Sequence, residues 1–370
     1  MPDLIISQYS FFSALIIFTL VTLLILLLCK NTSFIARHGI SIILVAVALT
    51  LLRLFLPFDL YWAKVIDLNC ILVPVSSFLN QKIVGIYSVK FCLCLIWVLG
   101  SIFSICHFAY VFLKDKQALD TLTCIENISL NTAINEYNYQ KIVIKVSPII
   151  DVPRVWGVFV SHIYLPDLTL SSNEWKIVLD HEIQHVKNHD TLIKFLMLTI
   201  ESIFWWNPAV YFLYKKLDHI LELRCDLSLS QKYSSTERVK YLEVILKVLR
   251  QINCNVTGKS ILTTSLVNYS TYASTKQRFE IVSHAEKSSY KLQLCCYLVI
   301  FFIFFMSYLI IFQTSFPVPA ANGGTAQTSF ILHKSDDTYS LYIEGVYYKD
   351  LSEKDLSKKE YSELRIVGGN

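Results

Sequence analysis

Residues 181–185 read His-Glu-Ile-Gln-His, the H-E-x-x-H pattern. On a helix, His181 and His185 lie one turn apart on a single face. Both imidazoles can then reach one zinc ion at about 2.0–2.1 Å. Glu182 stands about 100° further round, where its carboxylate can take a proton from a water that the zinc acidifies. His181 and His185 are therefore expected metal ligands and Glu182 the expected general base. The usual product of such a set is a cut peptide bond.

The chemistry requires a helix, and the flanking residues predict one. Ser171 and Glu174 form an S-x-x-E capping box just upstream. Trp175, Val178, Leu179, Ile183 and Val186 follow as an apolar stripe at steps of three and four. A catalytic zinc of this kind takes a third protein ligand and keeps one position open. His189 lies at i+8 from His181, about 12 Å along the axis, and cannot join the pair unless the helix breaks. The longer H-E-x-x-H-x-x-G-x-x-H pattern is absent, since position 188 is Asn and position 191 is Thr. The third ligand must come from a second helix, and Glu222 in Glu222-Leu223-Arg224-Cys225-Asp226 is the best candidate. Glu222 and Asp226 share a face, so that one can bind metal while the other orients a ligand imidazole by accepting its N–H. The alternative for this pair is a solvated helix face. Cys225 reads as a small buried apolar residue.

The elements that carry these residues belong to an apolar chain. Of 370 residues 54% are hydrophobic and 17% charged, too apolar for an ordinary soluble protein. Four runs read as membrane-spanning helices: Phe11–Cys29, Ile40–Leu56, Phe91–Leu113 and Leu292–Phe312. The first lacks the basic start and the cleavage site of a signal peptide. Lys30 and Arg37 follow the first run, Lys114 and Lys116 follow the third, and Lys287 and Lys291 precede the fourth. The positive-inside rule then puts both termini outside and residues 114–291 in the cytoplasm. The loop at 57–90 falls outside, with Tyr61 and Trp62 at the interface. The net charge of +4 fits basic inner loops and gives no reason to expect direct nucleic-acid binding. The ten cysteines include no C-x-x-C pair, so a disulfide scaffold is not expected.

Thr191–Tyr214 is also apolar, but a single crossing there would put His185 and Glu222 on opposite sides of the membrane. Two crossings need about 40 residues, and 36 lie between those two positions. The stretch is therefore expected to be a buried or interfacial helix pair, broken near Asn207-Pro208, with its tryptophans at headgroup level. Elsewhere the cytoplasmic part reads α+β. Strands are expected at Lys141–Val146 and Val158–Leu165, the second an edge strand because Pro166 ends it. An edge next to the motif helix could hold an extended peptide. Ser234 and Glu237 mark another helix start, with an apolar face of Val239, Leu242, Ile245, Leu246 and Leu249. Residues 253–275 read as a mobile loop, 317–327 as a linker, and Ser329–His333 with Tyr339–Tyr348 as a hairpin.

These blocks together resemble the membrane-embedded zinc metallopeptidases of the BlaR/MecR antirepressor type. The resemblance covers roughly residues 1–313. It rests on Gly157-Val158-Phe159, Ile163-Tyr164-Leu165-Pro166, His181 to His185 with Asp190 downstream, Trp206-Asn207-Pro208, and Glu222-Leu223-Arg224-Cys225-Asp226. It implies a multi-pass α-helical membrane protein of four spans with a cytoplasmic α+β, gluzincin-like domain at 114–291, the fourth span at 292–313 and a short outer tail at 314–370. It implies Zn2+ held by His181, His185 and Glu222, with Glu182 as base and Asp226 and Asp190 supporting the ligands. It also implies location in a bacterial cytoplasmic membrane and a protein substrate, either a transcriptional repressor or the chain itself; a homodimer stays open. About 57 residues follow the last apolar run, with no S-x-x-K motif, so a penicillin-binding sensor is not expected. Two other functions compete: a non-catalytic transducer with a structural zinc, against which Glu182 argues, and a constitutive quality-control protease. His162, His219 or a tyrosine are candidates for stabilising an oxyanion.

Overall fold

A computed structural model describes residues 4–5, 8–60, 63–84, 87–136, 142–255, 272–284, 290–313, 329–333, 338–343, 346–356, 361 and 364–368. Tyr61, Trp62 and the expected linker at 317–327 lie outside the described residues, as does most of the expected loop at 253–275. The ends of that loop are helical: one helix runs Ser235–Asn255 and the next Tyr272–Ser283. The chain forms two compact units, Phe18–Arg53 with Gly100–Phe304, and Met1–Ile17 with Leu54–Leu99 and Phe305–Asn370.

Among the described residues two helices are long and apolar enough to cross a membrane, Tyr9–Leu28 and Val89–Asp120. The short helix Thr32–His38 and the helix Ser41–Phe55 qualify only together, bent by 97°. The last apolar run is not one helix, as its composition suggested. A helix of 17 residues, Tyr290–Met306, turns at Ser307-Tyr308 into a strand, Ile310–Gln313. β-branched isoleucines in that strand find a ladder, pairing in parallel with Lys64–Asp67.

In the unit that holds the motif, three strands make a small sheet: β1 (Val143–Val146), β2 (Arg154–Trp156) and β3 (His162–Leu165). β3 is central, parallel to β1 and antiparallel to β2, so the expectation of an edge strand at Val158–Leu165 is wrong in place and length. Pro166 follows the last paired residue and removes no ladder bond. The edge beside the motif helix is β2 instead. Gly157 makes the return from β2: its φ is +111°, and a Cβ there would sit 2.0 Å from the Val160 carbonyl oxygen.

The motif helix, Ser172–Lys187, starts at the expected capping box, with the Ser171 amide donating to Glu174 Oε2 at 2.7 Å. Trp175, Val178, Leu179 and Ile183 are buried against β1, β3 and the helix Ser235–Asn255. The Trp175 indole donates to Ser129 Oγ at 3.1 Å, which meets its one polar requirement. Next come the helix Asp190–Ile203 and the helix Pro208–Ser230, an antiparallel pair broken where Asn207 caps Ala209 and Val210. The elbow of this pair docks on the long apolar helix: Ser101 Oγ donates to the Ile203 carbonyl at 2.8 Å, and a Cβ at Gly100 would lie 2.6 Å from the Trp205 ring. Further along, Phe108 and Phe112 pack on Phe195, and Leu119 enters the core with Ile150 and Tyr164.

In the other unit the tail forms more than a hairpin. Ser329–His333 pairs antiparallel with Tyr339–Ile343 and parallel with Arg365–Gly368, and Val346–Leu351 completes four strands. Cys29, Cys70, Cys92, Cys94, Cys106, Cys124, Cys225, Cys295 and Cys296 are free.

Gly157→Ala should cost about 1–3 kcal/mol through the left-handed backbone it would strain. A lowered unfolding midpoint of the full-length protein would show this, and Gly157→Asn should fare no better, because its Cβ meets the same Val160 carbonyl oxygen.

Candidate metal centre

The metal-binding atoms are aimed from behind. Both motif histidines sit on the inner face of their helix, His185 buried at 8% exposure. After Lys187 the chain turns sharply, with His189 in a left-handed conformation (φ 54°). His189 is thus a turn residue and stays outside the centre. The turn carries Asp190 back under the motif helix, where its Oδ2 lies 2.6 Å from His185 Nδ1. Asp190 is itself held by an ion pair to Arg224, whose guanidinium also donates to the Asn188 carbonyl at 2.9 Å.

His181 is aimed differently. Its Nδ1 meets the Tyr241 hydroxyl at 2.8 Å, and that hydroxyl donates to Asp226 Oδ1 at 2.6 Å. A tyrosine has one proton to give. Since it goes to Asp226, the phenolic oxygen accepts from His181 Nδ1–H. Asp226 thus acts on the imidazole through Tyr241 rather than directly, its own oxygen being 3.7 Å from Nδ1. The direct contact expected from the Glu222/Asp226 spacing gives way to this relay because Asp226 is fully buried beneath Tyr241. With both Nδ1 atoms protonated, both Nε2 lone pairs point inward.

Those two Nε2 atoms stand 3.2 Å apart. Glu222 closes the triangle, with one carboxylate oxygen 3.4 Å from His181 Nε2 and the other 3.5 Å from His185 Nε2. Tetrahedral bonds of about 2.0–2.1 Å place neighbouring donors about 3.3–3.4 Å apart, so two imidazoles and a carboxylate fit zinc in spacing and in chemistry. The electrostatics agree. Burial opposes charge on His185, yet Cys225, Glu222 and Asp190 together raise its pKa to about 10: the pocket favours a positive charge. Burial also opposes charge on Glu222, but Arg278, and then His185, hold its carboxyl well below the usual range.

Cys225 is buried, as its neighbours suggested, but its sulfur groups with the two histidines as a third metal-capable atom. It lies 3.4 Å from His181 Nδ1 and donates to the His181 carbonyl, on the ring edge away from Glu222. Glu182 is buried at the rim of the same cavity, and burial raises its pKa. The cavity also reaches β2, Phe112 and His219; His219 Nε2 bonds Gln277 at 2.7 Å. His162 does not line it.

Tyr241, Arg224 and Arg278 were not legible as site residues. Tyr241 begins a buried stripe with Val244, Val248 and Ile252 at steps of three and four, whereas the face expected from sequence included Val239, which is 56% exposed. A tyrosine heading such a stripe needs a polar partner, and that was the available signal.

The chain belongs to the BlaR1 peptidase M56 family, whose profile matches residues 10–282. This makes it a membrane protein of a metallopeptidase family and implies a metal cofactor. Among curated proteins it is similar to the "Regulatory protein BlaR1" of Bacillus licheniformis, 32% identical over 159 residues, covering 41% of this chain and 26% of that protein. It is also similar to the "Methicillin resistance mecR1 protein" of Staphylococcus aureus, 29% identical over 167 residues, covering 43% and 28%. The matched parts span about a quarter of the length of these relatives.

Tyr241→Phe leaves His181 Nδ1–H without its acceptor and, if the candidate centre holds metal, should weaken metal binding about 10–100-fold, with zinc as the probe. Competition with a chelator on the purified full-length protein measures this. Unchanged affinity would remove Tyr241 from the centre.

Proposed function

We propose that the chain is a membrane-embedded zinc-dependent endopeptidase of the gluzincin kind, acting in signal transduction by cutting a repressor or itself. The observation that carries this is a buried Glu182 beside two imidazoles and a carboxylate at tetrahedral spacing, all lining one cavity with β2. His181, His185 and Glu222 would hold the ion. Bound there, zinc supplies Lewis-acid chemistry, polarising a peptide carbonyl and acidifying water. Glu182 takes the water's proton and passes it to the leaving nitrogen. Its burial raises its pKa, which suits a base that must also act as an acid. The outer edge of β2 can align an extended peptide by strand addition, with Phe112 and Trp156 beside it.

In this reading the membrane is crossed four times, by Gln8–Leu28, Ser41–Phe55, Val89–Asp120 and the segment beginning with Tyr290–Met306. The peptidase unit faces the cytoplasm and both termini lie outside. Phe91, Leu99, Phe103 and Tyr110 on the long helix are exposed, as lipid-facing residues are. Ser101, which holds the helix-pair elbow, lies about 20 Å along the axis from Lys114. If Lys114 marks the cytoplasmic edge, the elbow and its exposed Trp205 and Trp206 dip into the hydrocarbon, deeper than the headgroup level expected from sequence.

The grouping of Cys225 with the two histidines favours a second reading, a non-catalytic transducer with a closed structural site. Cys225→Ala separates the two: zinc retention supports the peptidase, and zinc loss supports the structural site.

Glu182→Ala should keep zinc and lower cleavage about 10²–10⁴-fold. N-terminal mapping of fragments in cells with wild-type and variant protein reads this out. The same fragments at the same rate in both would end the assignment.

A further inference from the structure

The helix Tyr272–Ser283 packs between the short helix Thr32–His38 and the helix Pro208–Ser230 that carries Glu222. Two adjacent, half-buried residues on it make polar contacts in opposite directions. Arg278 donates from Nε and Nη2 to Asp226, at 2.6 and 3.0 Å, and its Nη1 lies 3.1 Å from Glu222 Oε2. One guanidinium therefore grips both carboxylates of the i, i+4 pair, and the Glu222 oxygen it holds is the one facing His181 Nε2. Gln277 Nε2 donates to the Cys29 carbonyl at 2.8 Å, while its Oε1 accepts from His219 Nε2 at 2.7 Å. Cys29 directly follows the first apolar helix, Gln8–Leu28, where the last carbonyls lack partners within the helix.

We infer that Arg278 is a positioning residue for the Glu222 carboxylate, and that Gln277 seats the same helix on the end of the first apolar helix, so that the seating sets the geometry of the metal centre. This rests on the reading of Glu222 as a metal ligand. Two like charges one turn apart repel; Asp226 is fully buried and needs a cation or a donor, and half-buried Glu222 gains from one. Arg278 supplies both needs with a rigid planar fork. A lysine has one point of charge and cannot keep the bidentate hold on Asp226 while reaching Glu222. Without the fork, Glu222 is free to rotate away from the two imidazoles. Gln277 has both ends of its amide satisfied, so sliding this helix along Cys29 breaks two half-buried hydrogen bonds together. The same slide carries Arg278 off Glu222.

The test uses the full-length protein in lipid nanodiscs, with zinc as the probe, chelator competition for affinity and circular dichroism for helix content. Arg278→Lys should keep its helix content and bind zinc about 10–100-fold more weakly. Added to Glu222→Gln, it should cost a further twofold or about that, because the two residues act through one contact. Gln277→Ala should weaken zinc binding by a smaller factor, and that factor should vanish in the Arg278→Lys background. Wild-type affinity in Arg278→Lys overturns the inference, and so does a full penalty on top of Glu222→Gln. Loss of helix content in both Arg278→Lys and Arg278→Met would also overturn it, making Arg278 a support of the fold. Wild-type protein that takes up no zinc would instead defeat the metal-site reading beneath it.

Discussion

The hydrogen bonds at the outer edges of the two imidazoles, His185 to Asp190 and His181 to Tyr241, turn two helix-face histidines into a pair of inward donors. Each fixes a proton on Nδ1 and so frees Nε2. Much of the surrounding architecture serves these bonds. The left-handed turn at His189 exists where Asp190 must double back, and Arg224 reaches across from the next helix to hold both the turn and the carboxylate. On the other side Tyr241 comes from a third helix, and it can reach His181 only because Asp226 beneath it takes its proton. Around the two imidazoles lie the carboxylates Glu222, Asp190 and Asp226, and around those the guanidinium groups of Arg224 and Arg278. Burying so many ionised groups is costly unless each has its partner, and here each does.

Local signals in the sequence reached the motif helix well. Its capping box, its apolar stripe and the helix break at Asn207-Pro208 are all nearest-neighbour features, readable over a few residues. The sheet was harder. Pro166 suggested an edge, but strand order depends on Gly157 folding Arg154–Trp156 back against His162–Leu165, and nothing local says which flank is covered. The last apolar run shows a similar conflict. By composition it is one span, yet its final isoleucines enter a ladder with a strand about 240 residues earlier, a tertiary choice that overrides helical length. The site divided in the same way. His181, Glu182, His185, Glu222 and Asp226 are visible because each pair is spaced within a single helix. Tyr241 and Arg278 join through space from separate helices, and a one-position error in a helical face hides such residues.

The cavity is walled by unlike materials. One side is the ionic centre; the other is aromatic, built from Phe112 on the long apolar helix, Phe195 and Trp156. That helix runs from Val89 to Asp120, and near its end Leu119 enters the core with Ile150 and Tyr164. A continuous helix transmits rotation and tilt along its length, whereas a flexible loop would dissipate them. Phe108, Phe112 and Leu119, which line the cavity, thus lie on the same helix as Ser101, which holds the helix-pair elbow.

The parallel pairing of Lys64–Asp67 with Ile310–Gln313 has a consequence in time. The unit containing it is stitched from three stretches of chain, the first residues, Leu54–Leu99 and Phe305–Asn370, while the metal centre is complete by residue 278. A ribosome releases the centre's last residue well before it makes the strand that closes the other unit. The groups of the candidate centre can therefore assemble before the other unit's chain is complete, and long-range strand pairing is the slower process. During synthesis the chain passes through an interval in which the residues of the candidate centre are all made and the strand Ile310–Gln313 is not.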